Sequence, residues 1–124
     1  MKIVDSSAII AVLLDEAERP AIQALITGER LLAPSLLVFE ITNSCAMHAK
    51  RFPDLQDRFT DALIDFLNLD IELREVDIVG TFALARRHDL TAYDASYLWL
   101  SRELGVELIT LDRDLADAAQ NLRP

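Results

Sequence analysis

The sequence begins with Lys2-Ile3-Val4-Asp5-Ser6-Ser7, a stretch in which a short apolar run leads directly into an acid and two serines. The apolar part predicts a short buried β-strand, and Ser6 or Ser7 is then expected to cap a helix that reaches about Leu14. A strand that passes into a helix without a long loop is typical of an α/β fold.

The same alternation of short apolar strands and helices continues along the chain. Further strands are predicted at Leu31–Ala33, Glu72–Val76 and Glu107–Thr110. Helices are predicted from Arg19 to Gly28, from Ser35 to about Lys50, from Pro53 onward, from Asp77 to near His88, from Thr91 to Leu104 and from Asp112 toward Gln120. This pattern indicates a parallel sheet with helices on both faces, so we predict a single α/β domain over residues 1–124 with four to five short strands.

The composition indicates in which cellular compartment the protein acts. Hydrophobic residues make up 52% of the 124 residues, yet no stretch approaches the length of a bilayer span, so no membrane association is expected. The N-terminal stretch lacks the features of a signal peptide. Cys45 is the only cysteine, which excludes an intramolecular disulfide and fits a reducing cytosol. We therefore expect a cytoplasmic protein.

The net charge is −9, with 21 acids against 12 bases. Such a balance argues against a protein that coats nucleic acid by bulk electrostatics, because phosphate binding needs local positive charge. It does not exclude an enzyme that grips phosphate through a metal ion, and it suits a partner with a basic segment. The acidic row Asp54, Asp57, Asp61 and Asp65 follows helical spacing and predicts a solvated helix face.

Four other acids follow or adjoin apolar segments, namely Asp5, Glu40, Asp94 and Asp112. Right-handed crossovers place the C-terminal ends of parallel strands at one edge of a sheet, so Asp5 and Asp112 should emerge on the same rim. Each aspartate also has a purely structural explanation as a helix-capping residue.

Glu40 has no such explanation, because it lies more than a turn inside its predicted helix and is surrounded by apolar residues. Burying an unpaired carboxylate costs several kcal/mol, so it must be neutralised, paired or near a cation. A salt bridge to an arginine elsewhere is the alternative to a functional role.

A shared site for these acids would need a positive centre. Two carboxylates ~5 Å apart repel by about 3 kcal/mol at an effective dielectric near 20. Oxygen ligands that leave several waters in place suit Mg²⁺, or Mn²⁺ as a substitute, rather than zinc. Zinc would have only Cys45, His48 and His88 to recruit, and we interpret the spacing of Cys45 and His48 as chance.

With these residues in view, the chain resembles the PIN-domain ribonucleases, specifically the VapC toxins of bacterial toxin–antitoxin pairs. The resemblance spans nearly the whole chain and rests on four segments in the family's order and spacing. They are Ile3-Val4-Asp5-Ser6-Ser7, Pro34-Ser35 with Glu40-Ile41-x-Asn43, Leu90-Thr91-Ala92-Tyr93-Asp94-Ala95, and Leu108-Ile109-Thr110-x-Asp112-x-x-Leu115.

The resemblance implies a three-layer α/β/α fold, Mg²⁺-dependent cleavage of RNA, a homodimer, and inhibition by a cognate antitoxin whose segment crosses the active-site groove. By matching position, it implies that Asp5, Asp94 and Asp112 hold metal directly or through water. Glu40 would act in the same cluster through a water. The C-terminal segment Asn121–Pro124 leaves little room for the final edge strand that many relatives carry.

Supporting roles follow from the same comparison. Ser6 and Thr110 match polar positions that orient the acids, and Asn43 lies one turn past Glu40. Asp114 is a possible additional acid. RNA contacts are assigned to Arg86, Arg87 and Arg113 because they flank the predicted rim, although Arg86 and Arg87 would also suit their own helix C-terminus.

Three competing functions were weighed. A phosphoacceptor receiver domain needs a lysine after a late strand, and the only lysines are Lys2 and Lys50. A phosphatase with an aspartate nucleophile needs Asp-x-Asp, whereas Asp5 is followed by two serines. The alternative left open is a catalytically inert PIN-like module that only binds proteins.

Overall fold

The computed structural model describes residues 1–121 and is built around a parallel sheet. Its strands are β1 (Lys2–Val4), β2 (Leu31–Pro34), β3 (Glu72–Arg74) and β4 (Leu108–Ile109). They lie in the order β3-β2-β1-β4, and all neighbouring pairs are parallel. Within residues 1–121 the sheet therefore has four strands, which agrees with the predicted four to five.

Helices connect the strands and cover the sheet. They are α1 (Ser6–Leu13), α2 (Arg19–Ile26), α3 (Leu37–Arg51), α4 (Gln56–Leu67), α5 (Ile78–His88), α6 (Ala92–Leu104) and α7 (Arg113–Asn121), with a 3₁₀ turn at Pro53–Leu55. Helix α1 packs against α2, α3 and α4, whereas α6 packs against α5, α7 and three of the strands. The predicted three-layer α/β/α arrangement is thus confirmed.

The central strand β1 fixes the position of the site. Its Ile3 pairs with Leu32 on one side and Leu108 on the other, and Ile3 and Val4 are fully buried. Because β1 and β4 run parallel and in register, the residues that follow them emerge at the same edge of the sheet. Asp5 and Thr110 are those residues.

The helix ends follow the sequence signals at three predicted positions. Asp77 caps α5 by accepting a hydrogen bond from the backbone N–H of Gly80 at 2.7 Å, and Thr91 caps α6 by accepting from that of Asp94 at 3.1 Å. Gly105 ends α6 with φ of 64°, a left-handed conformation that glycine adopts without strain.

Several predicted element boundaries were wrong. Strand β3 ends at Arg74 rather than Val76, and β4 spans Leu108–Ile109 rather than Glu107–Thr110. The cap of α1 is Asp5, the second capping candidate of the sequence, and not Ser6 or Ser7, since the Asp5 carboxylate accepts from the backbone N–H of Ala8 at 3.0 Å. Helix α3 begins at Leu37 rather than Ser35, because the Ser35 N–H extends the strand ladder by donating to the Arg74 carbonyl at 3.0 Å.

Two further expectations concern the edges of the protein. The region considered for a final edge strand begins with Asn121, the last residue of α7, and its remaining residues 122–124 lie outside the described part. None of the helices within residues 1–121 is both long and apolar enough to cross a bilayer.

A candidate carboxylate active site

Asp5 is the best-buried acid at the sheet edge, with 4% of its surface exposed. Its Oδ1 accepts hydrogen bonds from the Ser7 hydroxyl at 2.7 Å and the Ala8 N–H at 3.0 Å. Its Oδ2 accepts a hydrogen bond from the Thr110 hydroxyl. A carboxylate has about four acceptor positions, so Asp5 retains capacity for a further ligand.

Thr110 and Ser7 join the ends of β1 and β4. The Thr110 Oγ1 also accepts from the backbone N–H of Asp112 at 3.0 Å, and the Ser7 Oγ accepts from that of Leu111 at 2.9 Å. The two hydroxyls therefore bind Asp5 on one side and the loop that holds Asp112 on the other. This network brings together two acids that are 107 residues apart in sequence.

Glu40 reaches the site from α3. Its side chain is partly buried, and its Oε1 accepts a hydrogen bond from the Tyr97 hydroxyl at 2.5 Å. The ion pairs found within residues 1–121 do not include Glu40, so the alternative of an arginine partner does not hold for the described part of the chain.

Asp94 and Asp112 complete the group from the first turn of α6 and the cap of α7. Asp94 is partly buried, whereas Asp112 is exposed and accepts from the backbone N–H of Leu115 at 2.9 Å. The predicted capping role of Asp112 is thus confirmed. The carboxylate nevertheless stays exposed and can accept a further ligand. Neither acid takes part in the ion pairs of residues 1–121.

The acids influence one another's proton affinity, which shows that they share one electrostatic environment. Burial raises the pKa of Asp5, against the opposing hydrogen bonds from Thr110 and Ser7, and the charge of Asp112 raises it further. Burial likewise raises the pKa of Glu40, and the charges of Asp94 and Asp5 add to that effect.

The pKa of Asp94 is raised in the same way. Burial is the largest cause, followed by the charges of Asp112 and Asp5, and the charge of Asp114 adds a smaller contribution. All four predicted acids thus belong to one mutually repelling group. Such a group has higher free energy when every member is ionised and no cation is near.

The supporting residues lie at different distances from this group. The Ser6 hydroxyl lowers the pKa of Glu40, against the larger effect of burial, and Thr110 donates a hydrogen bond to Asp5. Asn43 is exposed on α3, one turn past Glu40, and its predicted supporting role stays a prediction.

The predicted basic residues are all exposed. Arg86 and Arg87 lie in the last turn of α5, and Arg113 is the first residue of α7. Arg86 also lines an apolar groove between α5 and the start of α6.

Two residues of the site were missed in the sequence. Ser7 was considered only as a helix cap, and its hydrogen bond to Asp5 depends on the turn that β1 makes into α1. Tyr97 was given no role in the site from the sequence, yet it is fully buried with its hydroxyl on Glu40. Helical spacing gives one usable signal, since Tyr97 lies three residues after Asp94 and therefore on the same face of α6.

The donor set fits a hard divalent cation held partly through water. Within residues 1–121, no group of three or more His, Cys, Asp or Glu side chains is arranged to hold an ion by itself. Mg²⁺ is commonly held by one or two carboxylates together with several waters and substrate phosphates, which does not require three direct protein ligands. Asp5, Asp94 and Asp112 are the carboxylates predicted for this role.

One of the four acids, Glu40, lines a cleft of about 460 Å³. Glu40, Ser6 and Ser7 line it together with Glu16 and Glu18 from the segment that links α1 to α2. The cleft therefore has acidic side chains both from α3 and from the segment between α1 and α2. Their negative charge would repel a free RNA backbone and attract a basic group.

Comparison with known proteins identifies the family of this fold and site. The family model described as "PIN domain" matches residues 2–121. Ribonuclease VapC3 of Pyrobaculum aerophilum is 32% identical over 120 residues, covering 93% of this chain and 92% of that protein. Ribonuclease VapC9 of Mycobacterium tuberculosis is 34% identical over 127 residues, covering 97% and 92%.

Two solved structures share the fold. PAE2754 of Pyrobaculum aerophilum has a TM-score of 0.78 at 22% identity, with 98% of this chain and 90% of that chain covered. VapC20 of Mycobacterium tuberculosis, a toxin that cleaves the sarcin–ricin loop, has a TM-score of 0.67 at 16% identity, with 95% of each chain covered. The chain belongs to the PIN-domain family.

Proposed function

We propose that this protein is a metal-dependent endoribonuclease of the VapC type, the toxin of a toxin–antitoxin pair. The observation that supports it best is the group formed by Asp5, Glu40, Asp94 and Asp112. These acids come from separate parts of the chain, raise one another's pKa values where a shift is resolved, and have no cationic partner within residues 1–121. The VapC ribonucleases among the relatives supply the substrate class.

The proposed cofactor is Mg²⁺, with Mn²⁺ as a possible substitute. Oxygen donors with room for water favour these ions over zinc. Asp5, Asp94 and Asp112 would hold the ion, and Glu40 would act through a water. When bound, a divalent ion polarises the phosphodiester and lowers the pKa of a bound water molecule.

The chain's own residues orient this chemistry. Thr110 and Ser7 fix the Asp5 carboxylate, and the same two hydroxyls hold the loop of Asp112. Water attacks phosphorus in line and the 3′ oxygen leaves, so the products carry a 5′ phosphate and a 3′ hydroxyl. No serine, cysteine or histidine nucleophile is required.

The RNA is proposed to contact Arg86, Arg87 and Arg113, which are exposed in the last turn of α5 and at the start of α7. A basic antitoxin segment is proposed to enter the cleft lined by Glu16, Glu18 and Glu40, because its charge complements those acids. Both assignments predict binding that weakens as salt concentration rises.

The protein is further proposed to be a cytoplasmic homodimer. Three apolar side chains on α5 are largely exposed, Ile78 by 76%, Val79 by 78% and Phe82 by 57%. Exposed apolar surface of this kind is typical of a protein–protein contact. A single buried thiol, Cys45, is compatible with a reducing compartment.

Induced expression in a bacterium tests the activity and its substrate together. Wild type should arrest growth and produce discrete RNA ends with a 5′ phosphate, whereas Asp94→Asn at the same protein level should do neither. Asp94 is not the cap of α6, so its amide variant should fold normally. An Asp94→Asn variant that cuts as wild type does contradicts the mechanism, and a wild type that cuts no RNA supports the inert binding module.

A further inference from the structure

Tyr97 contributes a polar atom to the site from inside the core. The residue is fully buried on α6, three residues beyond Asp94, so one helix face presents both side chains. Its hydroxyl is 2.5 Å from Glu40 Oε1, which is the length of a short hydrogen bond to a charged acceptor.

This hydrogen bond links two different helices across the site. Glu40 belongs to α3 and Tyr97 to α6, and the residues are 57 positions apart. A glutamate side chain has several rotatable bonds, so an unattached carboxylate would sample many positions. A donor fixed in the packed core restricts the carboxylate to one position and still leaves acceptor capacity for water or a cation.

The donor is also electrically neutral. An arginine or lysine in this place would orient Glu40 but would cancel its charge. A phenol is uncharged at physiological pH, so it donates its hydrogen bond without bringing a positive charge into the site. Glu40 is thereby held in place while the negative charge that attracts a cation is retained.

We propose that Tyr97 is a positioning residue whose hydroxyl holds the Glu40 carboxylate in the geometry that the bound cation and its water require. The inference rests on the proposed function, because it assigns Tyr97 a role in that same site. The competing explanation is that Tyr97 only fills the core, in which case the aromatic ring matters and the hydroxyl does not.

The first test compares Tyr97→Phe with wild type and with Tyr93→Phe. Phenylalanine retains the ring, and Tyr93 provides a matched control because it is 65% exposed on the same helix. The concentration of Mn²⁺ that gives half of the maximal rise in melting temperature should increase about tenfold in Tyr97→Phe and stay unchanged in Tyr93→Phe. Melting in EDTA checks that both variants are folded.

A double-mutant cycle separates positioning from packing. If the hydroxyl acts through Glu40, Tyr97→Phe should cause no further loss of Mn²⁺ affinity in a Glu40→Ala background, because no carboxylate remains to be held. Cleavage of RNA at saturating Mn²⁺ should follow the same pattern, with a lower kcat and an unchanged KM in the single variant Tyr97→Phe.

Each outcome decides between the explanations. A Tyr97→Phe variant with wild-type Mn²⁺ affinity, or with the same loss in both backgrounds, overturns the positioning role and leaves the proposed function intact. A wild type that Mn²⁺ does not stabilise overturns the metal site on which both proposals rest. A wild type that is stabilised by Mn²⁺ in this pattern but cuts no RNA supports the positioning role and contradicts only the nuclease proposal.

Discussion

Two groups of four acids occupy different regions of this molecule and have different physical surroundings. Asp54, Asp57, Asp61 and Asp65 follow one another along the 3₁₀ turn and α4, and all four are exposed. Asp5, Glu40, Asp94 and Asp112 come from distant parts of the chain and meet at one sheet edge, where only Asp112 is exposed. Charge alone therefore does not distinguish the two groups of acids, whereas convergence and burial do.

The largest expected difference between the two groups is in their response to Mn²⁺. At about one hundred times its dissociation constant, an ion that binds only the folded state raises the free energy of unfolding by about 2.7 kcal/mol. Asp5→Asn should lose most of this gain, and Asn can still cap α1. Asp61→Asn, the matched change on α4, should keep it, as measured by thermal melting with and without Mn²⁺. Equal losses in the two variants would show that the ion binds acids in general.

A smaller effect is expected from the hydroxyl that anchors Asp5. Thr110→Val keeps the shape of the side chain but leaves the buried Asp5 Oδ2 without its donor. The loss should lower the free energy of unfolding in EDTA by about 1–3 kcal/mol. Thr60→Val on α4 is the control, because the Thr60 hydroxyl bonds only the exposed Gln56 carbonyl. Urea titration measures the free energy of unfolding of both variants. Equal destabilisation would show that the Thr110 hydroxyl does not stabilise the fold through Asp5.

The helix ends could be predicted from the sequence because their physical causes are local. Asp77, Thr91 and Gly105 set helix ends through contacts within a few residues, and such contacts can be inferred from spacing. Asp5 and Asp112 could be placed on one rim because parallel strands of an α/β sheet end at the same edge.

The remaining features depend on contacts between distant residues. The Ser35 N–H completes the strand ladder by bonding to Arg74, so α3 begins later than predicted. No local signal in the sequence indicates this contact. The partners Ser7–Leu111 and Tyr97–Glu40 join residues 104 and 57 positions apart. Phe39 and Tyr97 are both aromatic residues on helices, yet Phe39 is 77% exposed and Tyr97 is fully buried, because helix orientation decides which aromatic residue enters the core.

The smallest expected effect is on the pH dependence of stability. The unfolded chain loses the Asp5 proton near an ordinary pKa of about 4, while the folded chain keeps it to higher pH because burial raises that pKa. The folded state therefore binds more protons in this range, and the contribution of Asp5 to the free energy of unfolding falls as pH rises.

Urea unfolding in EDTA measures this contribution. The free energy of unfolding of wild type minus that of Asp5→Asn should decrease from about pH 4 upward, through the raised pKa of Asp5. The subtraction removes the contribution of surface acids such as Glu72, whose pKa is lowered by Arg30. If this difference stays constant or increases with pH, ionisation of Asp5 does not destabilise the folded state.

Anomalous diffraction from crystals grown with Mn²⁺ tests most directly whether the converging acids form a cation site. A Mn²⁺ peak is expected within direct or water-mediated reach of Asp5, Asp94 and Asp112, with the Glu40 carboxylate still accepting the hydrogen bond from the Tyr97 hydroxyl. Mn²⁺ bound along the α4 row while the sheet edge stays empty would contradict it.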